Sequence, residues 1–308
     1  MGRTMKLAGA AALLLGLVLA AGTPAAQQVF RTTTDMVFLS VTAARGDRIA
    51  GGLEAGDFLV FEDGRPQKIE VFSREPQPIA LSLLVDASMS MESKMSLAAE
   101  AATGFVDRMR PGDTAQVVAF NHSVDIRQSF TDDRQLLQQA IRTTRPSGQT
   151  ALYTALYVAF GELEQIGRRT RGEIRRQAIV LLSDGQDTTS LLDYDAVVDR
   201  AKRSDVIVYA IGLRDPTERD ALGARQHEVG LRMLAQTTGG RAFFVDTPGQ
   251  LPAIYNQIAD ELEAQYTIGY VSDNTRYDGS WREIAVRVTA PGVTARTRAG
   301  YYSPRVRR

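Results

Sequence analysis

The sequence predicts an α/β fold: a doubly wound, mostly parallel six-stranded sheet inserted in a small β-sandwich-like domain. Three observations predict it. Between residues 79 and 262, six short apolar runs alternate with helical stripes, the signature of strands covered by helices on both faces. On either side, residues 29–76 and 265–304 show period-two alternation and turn signals without a long helix. Pro76 and Pro78 break the first of these patterns at the point where the second regime begins.

In the first β region, residues 36–41, 57–62 and 68–72 read as strands. Gly46-Asp47 marks a turn, and Asp63-Gly64 is a hairpin signal. The run 79–85 is almost wholly apolar, as in a strand buried on both faces. Met91, Met95, Ala98, Ala102, Phe105 and Met109 then form a helical stripe over 91–110, which Pro111-Gly112-Asp113 stops. Strands follow at 115–120 and 124–130, a short helix at 136–141, and a second stripe from Leu152 to Ile166. The alternation continues with a strand at 178–182, a helix at 194–203, a strand at 206–211 and a helix at 229–237 closed by Gly239-Gly240. After a strand at 242–245, Thr247-Pro248-Gly249-Gln250 is a capping box with proline at the first helical position. The last helix buries Leu251, Ile254, Tyr255, Ile258 and Leu262.

Beyond Gln265 the chain returns to strands at 266–271, 284–288 and 295–302, with Asp278-Gly279 as a turn. Neither flank has enough strands to close a core. Pairing of 29–76 with 265–304 into one domain, with 77–264 inserted, would cover the open edges. The C-terminal segment carries eight arginines, no lysine and three acids, read as a solvated strand face. No aromatic stacking platform accompanies them, so nucleic acid is not expected as a partner. Arg168, Arg169, Arg171, Arg175 and Arg176 fall between elements and mark an exposed loop.

Composition narrows the functions. The 308 residues are 44% hydrophobic and 23% charged, which excludes a mostly disordered chain and a multi-span membrane protein. Basic and acidic residues balance at 36 each, so there is no global field for a polyanion. The absence of cysteine removes disulfides, thiolate zinc sites and a cysteine nucleophile. Only His122 and His227 are present, and each reads as an exposed or structural histidine. At the start, Arg3 and Lys6 precede an apolar run over 7–21 and a small-residue stretch ending near Ala26. That is the pattern of a signal peptide over 1–26, with an apolar run shorter than the roughly 20 residues that span a bilayer. The expectation is an exported protein (periplasmic, cell-surface or extracellular) with no transmembrane segment after cleavage.

Three segments at strand ends or helix starts carry the chemistry. They are Asp86-Ala87-Ser88-Met89-Ser90, Gly148-Gln149-Thr150 and Asp184-Gly185. Ligands of open α/β sheets bind outside the carboxyl ends of the strands. Asp86, Ser88, Ser90, Thr150 and Asp184 offer two carboxylates and three hydroxyls, hard donors suited to Mg²⁺ or a similar cation. The competing reading is that Ser88, Ser90 and Thr150 are separate helix caps and Asp184-Gly185 a turn. No G-x-S-x-G, H-E-x-x-H or P-loop lysine motif is present, and no His or Glu lies inside the three segments, so an enzyme is not expected.

With these residues in this order, the chain resembles the von Willebrand factor type A domain. That family's metal-ion-dependent adhesion site is D-x-S-x-S, then a Thr, then an Asp, matched here by Asp86, Ser88, Ser90, Thr150 and Asp184. The resemblance runs through Thr150-Ala151-Leu152-Tyr153, Leu182-Ser183-Asp184-Gly185 and Thr238-Gly239-Gly240, about residues 77–264. Phe61-Glu62-Asp63-Gly64 and Gly300-Tyr301-Tyr302 resemble segments of secreted bacterial proteins with this domain between β flanks. Two positions depart from the pattern: Gln149 replaces a frequent glycine and Thr154 a frequent acid, neither a ligand. The resemblance implies a Rossmann-like sheet of order 3-2-1-4-5-6 with 124–130 antiparallel at its edge. It also implies that Val85-Asp86 lies beside Ser183-Asp184. A bound Mg²⁺ or Mn²⁺ would then take a carboxylate from a protein ligand with an exposed Asp or Glu, as in an adhesion module. The alternatives are a scaffold whose cation only pins loops, or a metal-dependent hydrolase.

Overall fold

The computed structural model describes residues 36–169, 175–214 and 222–305. The leader expected over 1–26, residues 29–35 of the first β segment and residues 170–174 of the arginine-rich loop lie outside the described residues. Among the described residues, no helix is long and apolar enough to cross a membrane.

The first strands are β1 (Met36–Arg45), β2 (Arg48–Ile49), β3 (Phe58–Glu62), β4 (Arg65–Gln67) and β5 (Ile69–Ser73). The hairpin signal forms as a turn in which Asp63 and Gly64 both take positive φ, 48° and 76°. The alternating part then runs β6 (Ile79–Asp86), α1 (Met95–Asp107), β7 (Thr114–Phe120), β8 (Val124–Thr131), α2 (Arg134–Arg142) and α3 (Leu152–Arg169). It continues with β9 (Arg176–Ser183), α4 (Tyr194–Lys202), β10 (Ile207–Leu213), α5 (Leu222–Thr237), β11 (Ala242–Val245) and α6 (Leu251–Glu263). The chain closes with β12 (Tyr266–Val271), β13 (Trp281–Val288), β14 (Thr294–Arg296) and β15 (Gly300–Tyr302).

The central sheet has the order β11-β10-β9-β6-β7-β8, parallel throughout except for β8, which runs antiparallel to β7 at the edge. Alternation along β6 sorts its side chains. Leu81, Leu83 and Val85 pack with α1, α2 and α6, whereas Ala80 and Leu84 pack with α3, α4 and α5. Each such buried leucine or valine contributes about 1.5–3 kcal/mol. Both faces are therefore apolar, which is why β6 reads as an almost unbroken apolar run.

The flanking strands form two further sheets. One has the order β14-β1-β12-β5, with β2 on β1; the other is β15-β13-β3-β4. Strands from both ends of the chain meet in each: β1 and β5 pair with β12, and β3 pairs with β13. Leu39, Val41, Ile268 and Tyr270 from the first sheet meet Phe58, Val60 and Ile284 from the second in one core.

The structure corrects five local expectations. Arg168 and Arg169 belong to α3 and Arg176 opens β9, where it is buried, so these arginines do not lie together in an exposed loop. Residues 295–302 are not one strand but β14 and β15, in different sheets. Between them the Ala299 amide donates to Thr237 O at 2.9 Å, tying the chain to the end of α5 and breaking the ladder. The helix expected from 91 starts at Met95, after a 3₁₀ turn over Met89–Met91. The helix expected from 229 begins at Leu222, so His227 lies within it rather than before it. Finally, the C-terminal arginines are not a uniformly solvated face. Arg282 is buried against Glu62 at 3.1 Å, and Arg296 meets buried Glu261 at 2.6 Å.

Candidate metal centre

The three segments singled out in the sequence converge at the carboxyl edge of the central sheet. Asp86 ends β6, and Ser183 ends β9 beside it: Val85 is in register with Leu182. The Asp86 carboxylate is fully buried; its Oδ1 accepts from the Ser88 amide at 2.8 Å and its Oδ2 from Ser183 Oγ at 2.5 Å. Ser88 precedes the 3₁₀ turn, yet its hydroxyl caps nothing there. It lies 3.0 Å from Ser90 Oγ instead, and Ser90 Oγ donates to Asp184 Oδ1 at 2.7 Å. Asp86, Ser88, Ser90 and Asp184 thus form one continuous polar chain, and the serines do not act as separate side-chain caps.

Thr150 joins from a third loop. A methyl group on Gly185 would stand 3.7 Å from Thr150 Oγ1 and 4.0 Å from Ser90 Oγ, so all three loops meet beside this glycine. Backbone bonds fix the arrangement. The Met89 amide donates to Gly148 O, the Ser147 amide to Ala87 O, and the Thr188 and Thr189 amides to Thr150 O. Asp187 accepts from the Tyr153 amide at 3.1 Å, and Ser190 Oγ accepts from the Thr154 amide at 3.0 Å. The five expected residues are therefore brought together.

The electrostatics suit a cation. Burial pushes the Asp86 carboxyl above its ordinary range, and the nearby Asp184 charge adds to this; donors from Ser183 and Ser88 act in the opposite direction. A residue that the sequence reading missed supplies one positive charge: Lys94 Nζ lies 2.5 Å from Asp184 Oδ2. Lys94 stands outside D-x-S-x-S and reaches the site because the 3₁₀ turn folds it back; no motif signals that. Two carboxylates against one ammonium leave one negative charge in excess, which fits a divalent ion completed by hydroxyls and water. Among the described residues, no group of three or more His, Cys, Asp or Glu could hold a metal, so a cation here would depend on the serine and threonine hydroxyls.

The histidines stand apart from this chain of contacts. His122 packs close to Gly148, whose φ of +72° favours glycine; a methyl there would come within 2.5 Å of His122 Nδ1 and push that exposed side chain aside. His227 lines a small pocket with Asp184, Gly185 and Glu228. Burial pushes its imidazole below the ordinary value against the pull of Glu228, Asp187 and Asp184.

Comparison with known proteins agrees with this fold. The profile of the von Willebrand factor type A domain matches residues 81–257, more than half of the chain. A UPF0353 protein of Nocardia farcinica is 27% identical over 271 residues, covering 77% of this chain and 76% of its own. Inter-alpha-trypsin inhibitor heavy chain H2 of mouse is 26% identical over 229 residues, 70% of this chain but only 24% of that longer protein. Among solved structures, a von Willebrand factor type A protein from Catenulispora acidiphila superposes with a TM-score of 0.52 at 13% identity, over 89% of this chain and 76% of its own, a likeness of fold alone. The chain belongs to the von Willebrand factor type A domain family.

Proposed function

We propose that this protein is an exported binding module, not an enzyme, that captures a carboxylate of a partner protein through a divalent cation, Mg²⁺ or Mn²⁺. Asp86, Ser88, Ser90, Thr150 and Asp184 would hold the ion, which would supply an electropositive point open to an outside anion. The observation that carries this reading is the polar chain from Asp86 through Ser88 and Ser90 to Asp184, with both aspartate side chains fully buried. Buried carboxylates that share hydroxyl donors gain most from a hard cation. Two apolar side chains on the surrounding loops suit protein contact: Met89, between the two serines, is 54% exposed, and Leu191 is 98% exposed.

Within this reading, residues 77–264 form the binding domain, and 29–76 with 265–304 form the sandwich that carries it. The leader over 1–26 would direct export. The test is calorimetry and thermal melting of the mature protein with Mg²⁺, followed by metal-dependent capture of partners from the cell envelope. Divalent binding and a higher melting temperature are expected, both lost in Asp86→Ala.

One observation favours a second reading. Lys94 already places a cation on Asp184, so the loops could be pinned without metal. In that scaffold, neither melting temperature nor partner capture would respond to Mg²⁺ or to chelation.

A further inference from the structure

At the opposite ends of the central strands, far from Asp86 and Asp184, a cavity of about 590 Å³ lies where the α/β part meets the sandwich. Its walls include the starts of β9 and β10, the ends of α3 and α4, and residues of β1, β12 and the β14–β15 connection. Six arginines line it, and only two acids, Glu164 and Asp205. Both acids are already engaged. Glu164 is shared by Arg168 and Arg200, and Asp205 pairs with Arg298. Arg203 is held by Asp199 from outside the wall. Guanidinium charge on the wall therefore exceeds carboxylate charge.

The least compensated of these cations is Arg176, which is 5% exposed. Its guanidinium donates to Leu262 O at 3.0 Å, Gln265 O at 2.6 Å and Thr267 Oγ1 at 3.4 Å, all uncharged. Among the described residues, no carboxylate pairs with it. Burial lowers its pKa to about 10, the mark of a cation short of counter-charge. Three buried donors on the same wall have no hydrogen-bond partner: Arg176 Nε, Arg298 Nε and Thr297 Oγ1. Buried polar groups without partners are uncommon in native proteins and call for an explanation.

We propose that this cleft is a binding site for a phosphate-bearing ligand. Guanidinium forks match the oxygens of a phosphate in pairs, which a point charge does not. The volume falls in the range of small-molecule sites, about 300–1,000 Å³. The ligand supplies the missing negative charge to a wall on which arginines outnumber acids. The site is independent of the metal centre in position and in chemistry.

Inorganic pyrophosphate titrated into the full chain by calorimetry, at fixed ionic strength, tests this. Saturable binding is expected, weakened about tenfold or more in the double variant Arg200→Gln/Arg203→Gln, as loss of charged hydrogen bonds implies. Arg168→Gln, at a 69% exposed side chain, is the second variant and should weaken binding with an unchanged melting temperature. Co-sedimentation with phosphatidic acid vesicles distinguishes the source. Sedimentation that pyrophosphate reverses identifies a lipid headgroup, and pyrophosphate binding without sedimentation a soluble phosphate ester. No saturable binding in either arm, or equal pyrophosphate affinity in the parent and both variants, overturns the proposal. Neither arm includes a divalent cation, so failure here leaves the reading of the Asp86 site untouched.

Discussion

Lys94 Nζ sits 2.5 Å from Asp184 Oδ2 while the other oxygen of the same carboxylate accepts from Ser90 Oγ at 2.7 Å. One aspartate is therefore shared between an internal ammonium, 19% exposed, and the hydroxyl chain that leads to Asp86. At this depth charge interactions are worth several times their value in water. An incoming divalent ion must compete with Lys94 for Asp184.

Lys94→Met should therefore have opposite effects in the two states. Without divalent ions it should lower the melting temperature, because Asp86 and Asp184 then face each other uncompensated. With Mg²⁺ it should bind the ion about tenfold more tightly than the parent, since the competing charge is gone. Calorimetry and melting curves in EDTA and in Mg²⁺ check both halves. Weaker Mg²⁺ binding in the variant would instead make Lys94 a support for the bound state.

The metal-site proposal predicts more than binding. Mg²⁺ at one hundred times its Kd should stabilise the protein by about 2.7 kcal/mol. Asp86→Ala should abolish that gain. Its far-ultraviolet circular dichroism should keep the parent shape, because β6 is held by parallel ladders to both β7 and β9.

The sandwich has its own buried ionic cluster. Glu62 accepts from Arg282 at 3.1 Å, Tyr270 at 2.8 Å, Ser272 at 2.5 Å and Tyr301 at 2.9 Å. Burial alone would raise the Glu62 pKa; the donors from Ser272, Tyr270, Tyr301 and Arg282 outweigh it and hold the carboxyl below its ordinary value. A carboxyl with a depressed folded pKa gives stability that is full above its unfolded pKa and is lost as pH falls through the folded value. Glu62→Gln should flatten that part of the acid-side loss in urea unfolding measured across the carboxylate range. Arg282→Met should cost about 3–5 kcal/mol at neutral pH, because it leaves a buried carboxylate without its cation.

Much of this was legible in the sequence, and the exceptions have a common cause. The six central strands and the residues Asp86, Ser88, Ser90, Thr150 and Asp184 could be read because each signal is local: an apolar run, a cap-like hydroxyl, an acid at a strand end. Lys94 could not, because its position depends on a 3₁₀ turn that delays α1 to Met95. The Arg282–Glu62 pair spans 220 residues of chain, and no local pattern joins them. Yet period two along β13 puts Arg282 on the same face as buried Ile284, so its inward position was available to a reading that did not treat arginine as surface by default.

The Gly239-Gly240 pair offers the last prediction. The sequence marks it as a helix C-cap, and it is one: the Gly240 amide donates to Ala235 O at 2.8 Å and the Gly239 amide to Gln236 O at 3.1 Å. The pair also seats the sandwich tail. Gly239 has φ +83°, and a methyl there would come within 2.6 Å of the Thr297 carbonyl carbon; one on Gly240 would come within 2.0 Å of Val208 O. Arg296 Nη1 donates to Gly240 O at 3.0 Å in the same contact. Gly239→Ala must therefore both strain the backbone and push the β14–β15 connection away from α5. The backbone term alone costs about 1–3 kcal/mol. If the glycines serve only the cap, Gly239→Asn, which tolerates positive φ, should restore most of the stability lost in Gly239→Ala. If they seat the tail as the contacts indicate, Asn should fail like Ala, since any Cβ meets the Thr297 backbone. Chemical denaturation of the two variants decides between a cap and a junction.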